Sequence, residues 1–190
     1  LGSIGTRHLN NLAEVCARRG IEFKADALRS SLKPLPPELA AVIKHQYIDF
    51  EQLGHYDVAF ITNPTSLHAS TLADLAGKAE NLFIEKPIFD HTNYDLAELG
   101  LETQKAYVAA PMRWCGTFLA LKKLMPTLRP YSARVICSSY LPDWRPGVDY
   151  RKVYSAHKDM GGGVTIDLIH EWDYLVDLFG FPQQSYNLKG

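Results

Sequence analysis

Asp57-Val58-Ala59-Phe60-Ile61-Thr62-Asn63-Pro64-Thr65-Ser66-Leu67-His68 is the stretch whose reading decides the fold. The unbroken apolar run from Val58 to Ile61 predicts a strand covered on both faces, the kind found in parallel sheets. Asn63-Pro64 stops that strand, and a proline is well suited to the first turn of a helix. His68, Leu72, Leu75 and Ala79 then share one helical stripe. A buried strand, a tight turn and a helix in that order make half of a βαβ unit.

Working outward, the same alternation recurs on both sides. Downstream, Asn81–Ile84 reads as a strand ending in Glu85-Lys86-Pro87, followed by a helix over Thr92–Thr103 and a strand over Lys105–Ala110. Upstream, Ile21–Leu28 alternates as a strand, Glu38–Lys44 is helix-like, and Tyr47, Ile48 and Phe50 suggest a short strand. At the start, Leu1-Gly2-Ser3-Ile4-Gly5-Thr6-Arg7-His8 reads as the tail of a GxGxxG loop, and Leu9, Leu12, Ala13 and Cys16 form a helical stripe that ends at Gly20. The repeated order predicts an α/β fold, a Rossmann-like doubly wound parallel sheet over residues 1–110. Both ends look cut, so that the first strand of the sheet is expected to precede residue 1.

After Trp114 the pattern changes, and residues 111–190 read as the start of a second α/β domain. Phe118, Leu121, Met125 and Leu128 predict a helix, and Ser132–Tyr140 alternates as a strand. A loop dense in Trp, Arg, Tyr and Pro runs from Leu141 to Tyr154. Three glycines, Gly161 to Gly163, then open a helix whose Leu168, Trp172, Leu175, Val176 and Phe179 mark one buried face. Asp167 and His170 lie three apart near its start, about 60° around the axis, so both reach one point in space. A carboxylate beside an imidazole there is suited to handling a proton. The plainer reading makes Asp167 a helix cap and His170 a packed core residue.

Composition narrows the function classes. The chain has 190 residues, 46% hydrophobic and 22% charged, with Lys+Arg 20 against Asp+Glu 21. Those are globular values, and no basic run argues for nucleic acid or an anionic membrane. Cys16, Cys115 and Cys137 are too few and too scattered for a disulfide framework, which fits a reducing cytoplasm. No apolar run is long enough to span a bilayer. A metal hydrolase using His157, Asp167 and His170 is disfavoured, because there is no HExxH and no third ligand at a converging spacing; no metal is expected.

The residues at predicted strand ends carry the chemistry. Ligands of open α/β sheets bind outside the carboxyl ends of the strands, which directs attention to Thr62, Asn63, Pro64, His68, Glu85 and Lys86. Gly2 lets a backbone approach a pyrophosphate, Gly5 lets helix and strand pack closely, and the helix N-terminus offers N–H groups to phosphates. Arg29 and Ser30 fall about twenty residues past the glycines, where such folds read the adenosine ribose. An arginine flanked by serine suits the 2′-phosphate of NADP. If the strand ended earlier, Asp26 would read the 2′-hydroxyl of NAD; NADP is the favoured cofactor of the two. In the aromatic loop, Arg145, Tyr150 and Tyr154 are candidates for contacts to a polyol substrate, the equal alternative being a packed surface loop.

Taken in order, Gly2 and Gly5, Thr62-Asn63-Pro64 with His68, Glu85-Lys86-Pro87, Met112-Arg113, and Gly161-Gly162-Gly163 with Asp167 and His170 resemble the Gfo/Idh/MocA family of NAD(P)-dependent oxidoreductases. The resemblance covers nearly the whole chain. It implies a second domain with an open, mainly antiparallel sheet that commonly mediates homo-oligomers, and a protein about twice this length. It implies that Lys86 lies at the nicotinamide, with the Lys86–Pro87 peptide cis, that His170 is the general base, and that Asp167 orients the substrate or assists proton transfer. Gly2, Ser3, Ile4, Thr62, Asn63, Pro64, His68 and Glu85 would line the cofactor. Many relatives separate the Asp and His by four positions; here the separation is three. The implied reaction is hydride transfer between a nicotinamide and a secondary hydroxyl or keto group of a sugar, nucleotide sugar or cyclitol. The competing expectation is a non-catalytic dinucleotide-binding or regulatory protein on the same scaffold.

Overall fold

The computed structural model describes residues 1–101, 105–186 and 188, in two compact units, Leu1–Val108 and Ala109–Gly190. Each unit is an assembly of its own and is described separately.

In the first unit, helix α1 (Ser3–Arg19) forms over the Leu9, Leu12, Cys16 stripe and ends at Gly20, whose φ of 64° is the left-handed conformation that glycine adopts at little steric cost. Gly20 and Ile21 donate back to the carbonyls of Ala17 and Cys16, closing the last turn. Strand β1 (Ala25–Leu28) pairs in parallel with β2 (Ile43–Tyr47), joined through the short helix α2 (Pro37–Ala40). Strand β3 (Tyr56–Ile61) leads through a 3-10 turn at Thr65–Leu67 into α3 (His68–Asp74), then β4 (Ala79–Ile84) and β5 (Lys105–Val108). These three strands form a parallel sheet in the order β3-β4-β5, with Ile61 opposite Ile84 and Ile84 opposite Val108.

The expected parallel α/β architecture is therefore present, as two sheets. Ile61, Leu72, Leu75, Ala79, Leu82 and Ile84 make one core between α3 and the three-stranded sheet; Ala27, Leu39 and Ile43, with Leu9 and Leu35 against them, make a smaller one. A groove of about 910 Å³ runs along the free edges of β1 and β3, lined by Ala25, Ala27, Val58 and Phe60 on its strand walls and by Leu9 and Leu12 of α1. The groove explains why Val58 is partly exposed although the sequence reads it as covered on both sides.

Two element expectations give way in this unit. The helix-like Glu38–Lys44 divides into α2 and the start of β2, because Ile43 is drawn into the ladder opposite Ala25, and β-branched residues favour that surface. The helix expected at Thr92–Thr103 is a run of turns as far as Leu101, where Asp95 accepts from the Ala97 and Glu98 amides. Such side-chain bonds compete with a helix. Glu102, Thr103 and Gln104 lie outside the described residues.

The second unit contains α4 (Gly116–Leu124), α5 (Val164–Asp167) and α6 (His170–Phe179), linked by several 3-10 turns. No ladder occurs among its described residues. Ser132–Tyr140 has the alternation of a strand but is exposed throughout and pairs with nothing described. The antiparallel sheet implied by the family resemblance is likewise absent from the described residues. Phe118 is buried and stands 6.0 Å from the Tyr174 ring. The unit is tied together by charge: Arg113 grips Asp173 through two bonds of 2.9 and 2.6 Å, and reaches Asp177 at 3.2 Å, which also accepts from Lys122 at 2.8 Å.

The single helix expected from Val164 onward is broken. Leu168, at φ −98° and ψ 32°, separates α5 from α6. Asp167 closes the first and His170 opens the second, so the two do not share one continuous helix. The stripe of α6 is only partly covered, with Trp172 and Phe179 about half exposed.

Candidate functional site

At the carboxyl edge of the first unit, Gly2 is the N-cap of α1, and neither a side-chain cap nor an acidic residue occupies the first turn. The N–H groups and the positive end of the helix dipole are thus offered without a competing carboxylate. A Cβ added to Gly2 would meet nothing within 4 Å, whereas one on Gly5 would come within 2.9 Å of Thr62 Oγ1. Glycine at position 5 is what allows α1 to settle against the end of β3, the close packing read from the sequence. Ser3 and Ile4 occupy the same first turn.

One turn further along α1, His8 makes a contact that sequence reasoning did not single out. Its ring lies 5.9 Å from Phe60 and 5.1 Å from Phe83, and its Nε2 is 2.5 Å from Glu85 Oε1. Glu85 also accepts from the Lys86 amide at 3.1 Å, and its own amide donates to the Ile61 carbonyl at 3.0 Å. The pair ties the glycine-opened helix to the strand end that carries Lys86. A hint was available: His8 follows Gly5 by three positions, on the helix face turned toward the strands.

His68 has a structural role beneath this edge. It is 1% exposed, and its Nδ1 and Nε2 each lie 3.0 Å from a backbone carbonyl, of Ile88 and Asn63 respectively. It braces the Asn63 turn against the segment after Lys86–Pro87, and is neither a surface residue of the first turn nor exposed to a ligand. Asn63 in turn donates to Thr71 Oγ1 at 2.7 Å. The Lys86–Pro87 peptide is cis, as the resemblance implied.

Strand β1 ends at Leu28, so Arg29 and Ser30 stand just beyond its carboxyl end. The Arg29 guanidinium donates to the Lys33 carbonyl at 2.7 Å and to Gln46 Oε1. Asp26 lies inside the strand, where its carboxylate accepts from the His45 amide at 3.1 Å and from the Tyr56 hydroxyl at 3.0 Å. Burial and then Asp26 push the Tyr56 hydroxyl up to about 12.

In the second unit, Asp167 is 8% exposed and accepts a short hydrogen bond from the Tyr154 hydroxyl. Its side chain does not cap α5, whose N-cap is Gly163. Burial first, then the bond to Asp167, push Tyr154 up to about 12, with Ser155 and Arg145 acting in the opposite direction. Arg145 and Tyr150 line a small cavity of about 10 Å³ with Trp144 and Ser155, and the Arg151 guanidinium lies 5.4 Å from the Tyr150 ring centroid. Asp143 to Asp149 of the aromatic loop are exposed. Among the described residues no cluster of His, Cys, Asp or Glu is arranged to hold a metal ion, and no helix is long and apolar enough to cross a membrane.

These features define a parallel α/β chain with a glycine-opened helix at a strand-end edge. Solved structures that share its fold include two dehydrogenases. The WlbA (WbpB) dehydrogenase from Thermus thermophilus, in complex with NAD and UDP-GlcNAcA, superimposes with a TM-score of 0.69 at 21% identity, over 94% of this chain and 60% of that one. The apo scyllo-inositol dehydrogenase from Lactobacillus casei gives 0.50 at 19% identity, over 67% and 39%. By sequence, the uncharacterized oxidoreductase YrbE of Bacillus subtilis is 23% identical over 196 residues, covering 100% of this chain and 54% of that protein. The chain thus spans about half the length of the curated relative it matches. No protein-family profile matches it.

Proposed function

We propose that the protein is an NAD(P)-dependent oxidoreductase that moves a hydride between the nicotinamide and a secondary hydroxyl or keto carbon of a sugar, nucleotide sugar or cyclitol. The observation that carries this reading is the joined edge in the first unit: uncapped α1, Gly5 against Thr62, and His8 bonded to Glu85 beside Lys86. The open space over Gly2 and the uncapped helix start fit a pyrophosphate. In this reading the first unit, with Gly2, Ser3, Ile4, Arg29, Ser30, Thr62, Asn63, Pro64, Glu85 and Lys86, holds the cofactor, and the second unit belongs to the substrate. His68 supports that lining from below. Exposed Trp114, Ile136 and Tyr140 in the second unit are in keeping with a homo-oligomer.

When bound, the nicotinamide accepts or returns the hydride. His170 takes the hydroxyl proton as the substrate is oxidised, and Lys86 stabilises the charge that develops on its oxygen. Asp167 orients the reacting groups. Arg29 and Ser30 just past β1, with Asp26 inside the strand, support NADP over NAD. The WlbA neighbour is in complex with NAD, which makes NAD the second arm of the test.

Thermal unfolding with each cofactor separates these choices. A ligand bound only by the folded state raises Tm, by the equivalent of ~2.7 kcal/mol at a hundred times its Kd. NADP is expected to give the larger shift. A larger shift with NAD reverses the cofactor preference, and no shift with either removes the reading.

A further inference from the structure

The sequence makes Tyr154 a candidate for touching substrate, yet its hydroxyl is directed at a carboxylate of the same unit. We propose that Tyr154 is a positioning residue for Asp167: its O–H holds one carboxylate oxygen and fixes the direction in which Asp167 faces the reacting groups. The inference rests on the dehydrogenase reading above and goes beyond it, because it gives the aromatic loop a task within the acid–base machinery.

The support is a bracket of backbone around the pair. Tyr154–Ala156 forms a 3-10 turn, and the His157 amide donates to the Tyr154 carbonyl at 2.9 Å. The Gly162 amide donates to the His157 carbonyl at 2.9 Å. A Cβ at position 162 would run into the Tyr154 carbonyl and come within 2.8 Å of that of His157. Only glycine lets the two segments touch. Gly161 and Gly163, at φ 81° and 119°, take the left-handed conformations that turn the chain directly into α5 and so to Asp167. Five residues after Gly162, the carboxylate is therefore at a fixed offset from the phenol. Ser155 and Asp167 are both buried, so little water competes for the bond. A phenol pushed up to about 12 keeps its proton, and hence its donor role, at every ordinary working pH.

A substrate contact and a positioning bond leave different kinetic traces. Loss of orientation lowers kcat, whereas loss of a uniform binding contact raises KM. In the protein that carries this chain, Tyr154→Phe keeps the ring and removes only the donor. The expected result is a fall in kcat of ~10–100-fold, in line with the cost of small misplacements, with KM for the sugar nearly unchanged. Unchanged kinetics, or a raised KM with kcat intact, overturns the proposal.

A second measurement does not need turnover. Ultraviolet difference titration of the tyrosines is expected to show a high-pH transition near 12 to which Tyr56 and Tyr154 both contribute; the Tyr154 share is lost in Tyr154→Phe and moves to lower pH in Asp167→Asn. A transition unmoved by Asp167→Asn overturns the pairing, even if Tyr154→Phe fails to fold. If the wild-type protein oxidises or reduces no polyol, the functional reading falls and the positioning role with it, while the titration still decides whether Tyr154 and Asp167 are paired.

Discussion

In Leu1–Val108, parallel ladders and a core around Leu72, Leu82 and Ile84 fix the backbone, and the candidate residues stand at the ends of strands so fixed. In Ala109–Gly190, the described residues contain no ladder, Ala109 and Phe118 are the buried apolar residues among them, and contacts between polar side chains hold the elements: Arg113 to Asp173 and Asp177, Tyr154 to Asp167. The difference teaches where each half is vulnerable. The strand-end edge inherits its geometry from the fold as a whole. The Asp167–His170 region depends on individual side chains, each of which one substitution removes.

Paired substitutions sharpen that contrast. Leu82→Ala, at a side chain 1% exposed, is expected to cost ~2–5 kcal/mol, because a buried leucine is lost and a cavity remains. Arg113→Ala is expected to cost about 1 kcal/mol or less, since the guanidinium is 37% exposed and water screens its partners. Denaturant unfolding at low and high salt checks both: the Arg113 effect shrinks in salt and the Leu82 effect does not. Equal costs at the two sites, or a salt-sensitive Leu82 variant, would break the comparison.

The smallest effect at neutral pH comes from the two tyrosine–aspartate pairs, one in each unit. Tyr56 and Tyr154 are both pushed up to about 12 from an ordinary value of 10.0. Above pH 10 the unfolded chain releases these protons while the folded one keeps them. The unfolded state then binds fewer protons, so stability falls as pH rises. The contribution is fully present below pH 10 and is lost between about pH 10 and 12. Tyr56→Phe and Tyr154→Phe should each flatten the alkaline limb of a Tm–pH profile. An unchanged limb in both variants would contradict the assignment.

The elements most legible in the sequence are those whose information is local. The Val58–Ile61 run, the proline after it and the His68–Leu72–Leu75 stripe carry strand, turn and helix within a short stretch. The Gly5–Thr62 contact was legible because a glycine near the start of a helix that follows such a loop has few other uses. What the sequence misread depends on partners far along the chain. Ile43 leaves a helical pattern because β1 offers it a ladder. Ser132–Tyr140 keeps a strand's alternation with no described strand beside it. Leu168 breaks a periodic helix at a point where the apolar pattern continues unbroken. His8 and Tyr154 find Glu85 and Asp167 through the fold, 77 and 13 residues away, and no spacing rule reaches that far.

The central claim of the proposed function is that Lys86 and His170 do the chemistry, Lys86 from the cofactor lining and His170 apart from it. Turnover of Lys86→Ala and His170→Ala, followed by the absorbance of the reduced nicotinamide with a UDP-sugar or inositol as substrate, tests it most directly. The expected result is a loss of ~10²–10⁴ in kcat in each variant, with the cofactor-induced Tm shift retained in His170→Ala. Wild-type turnover in either variant, or cofactor binding without turnover in the unaltered protein, would contradict it.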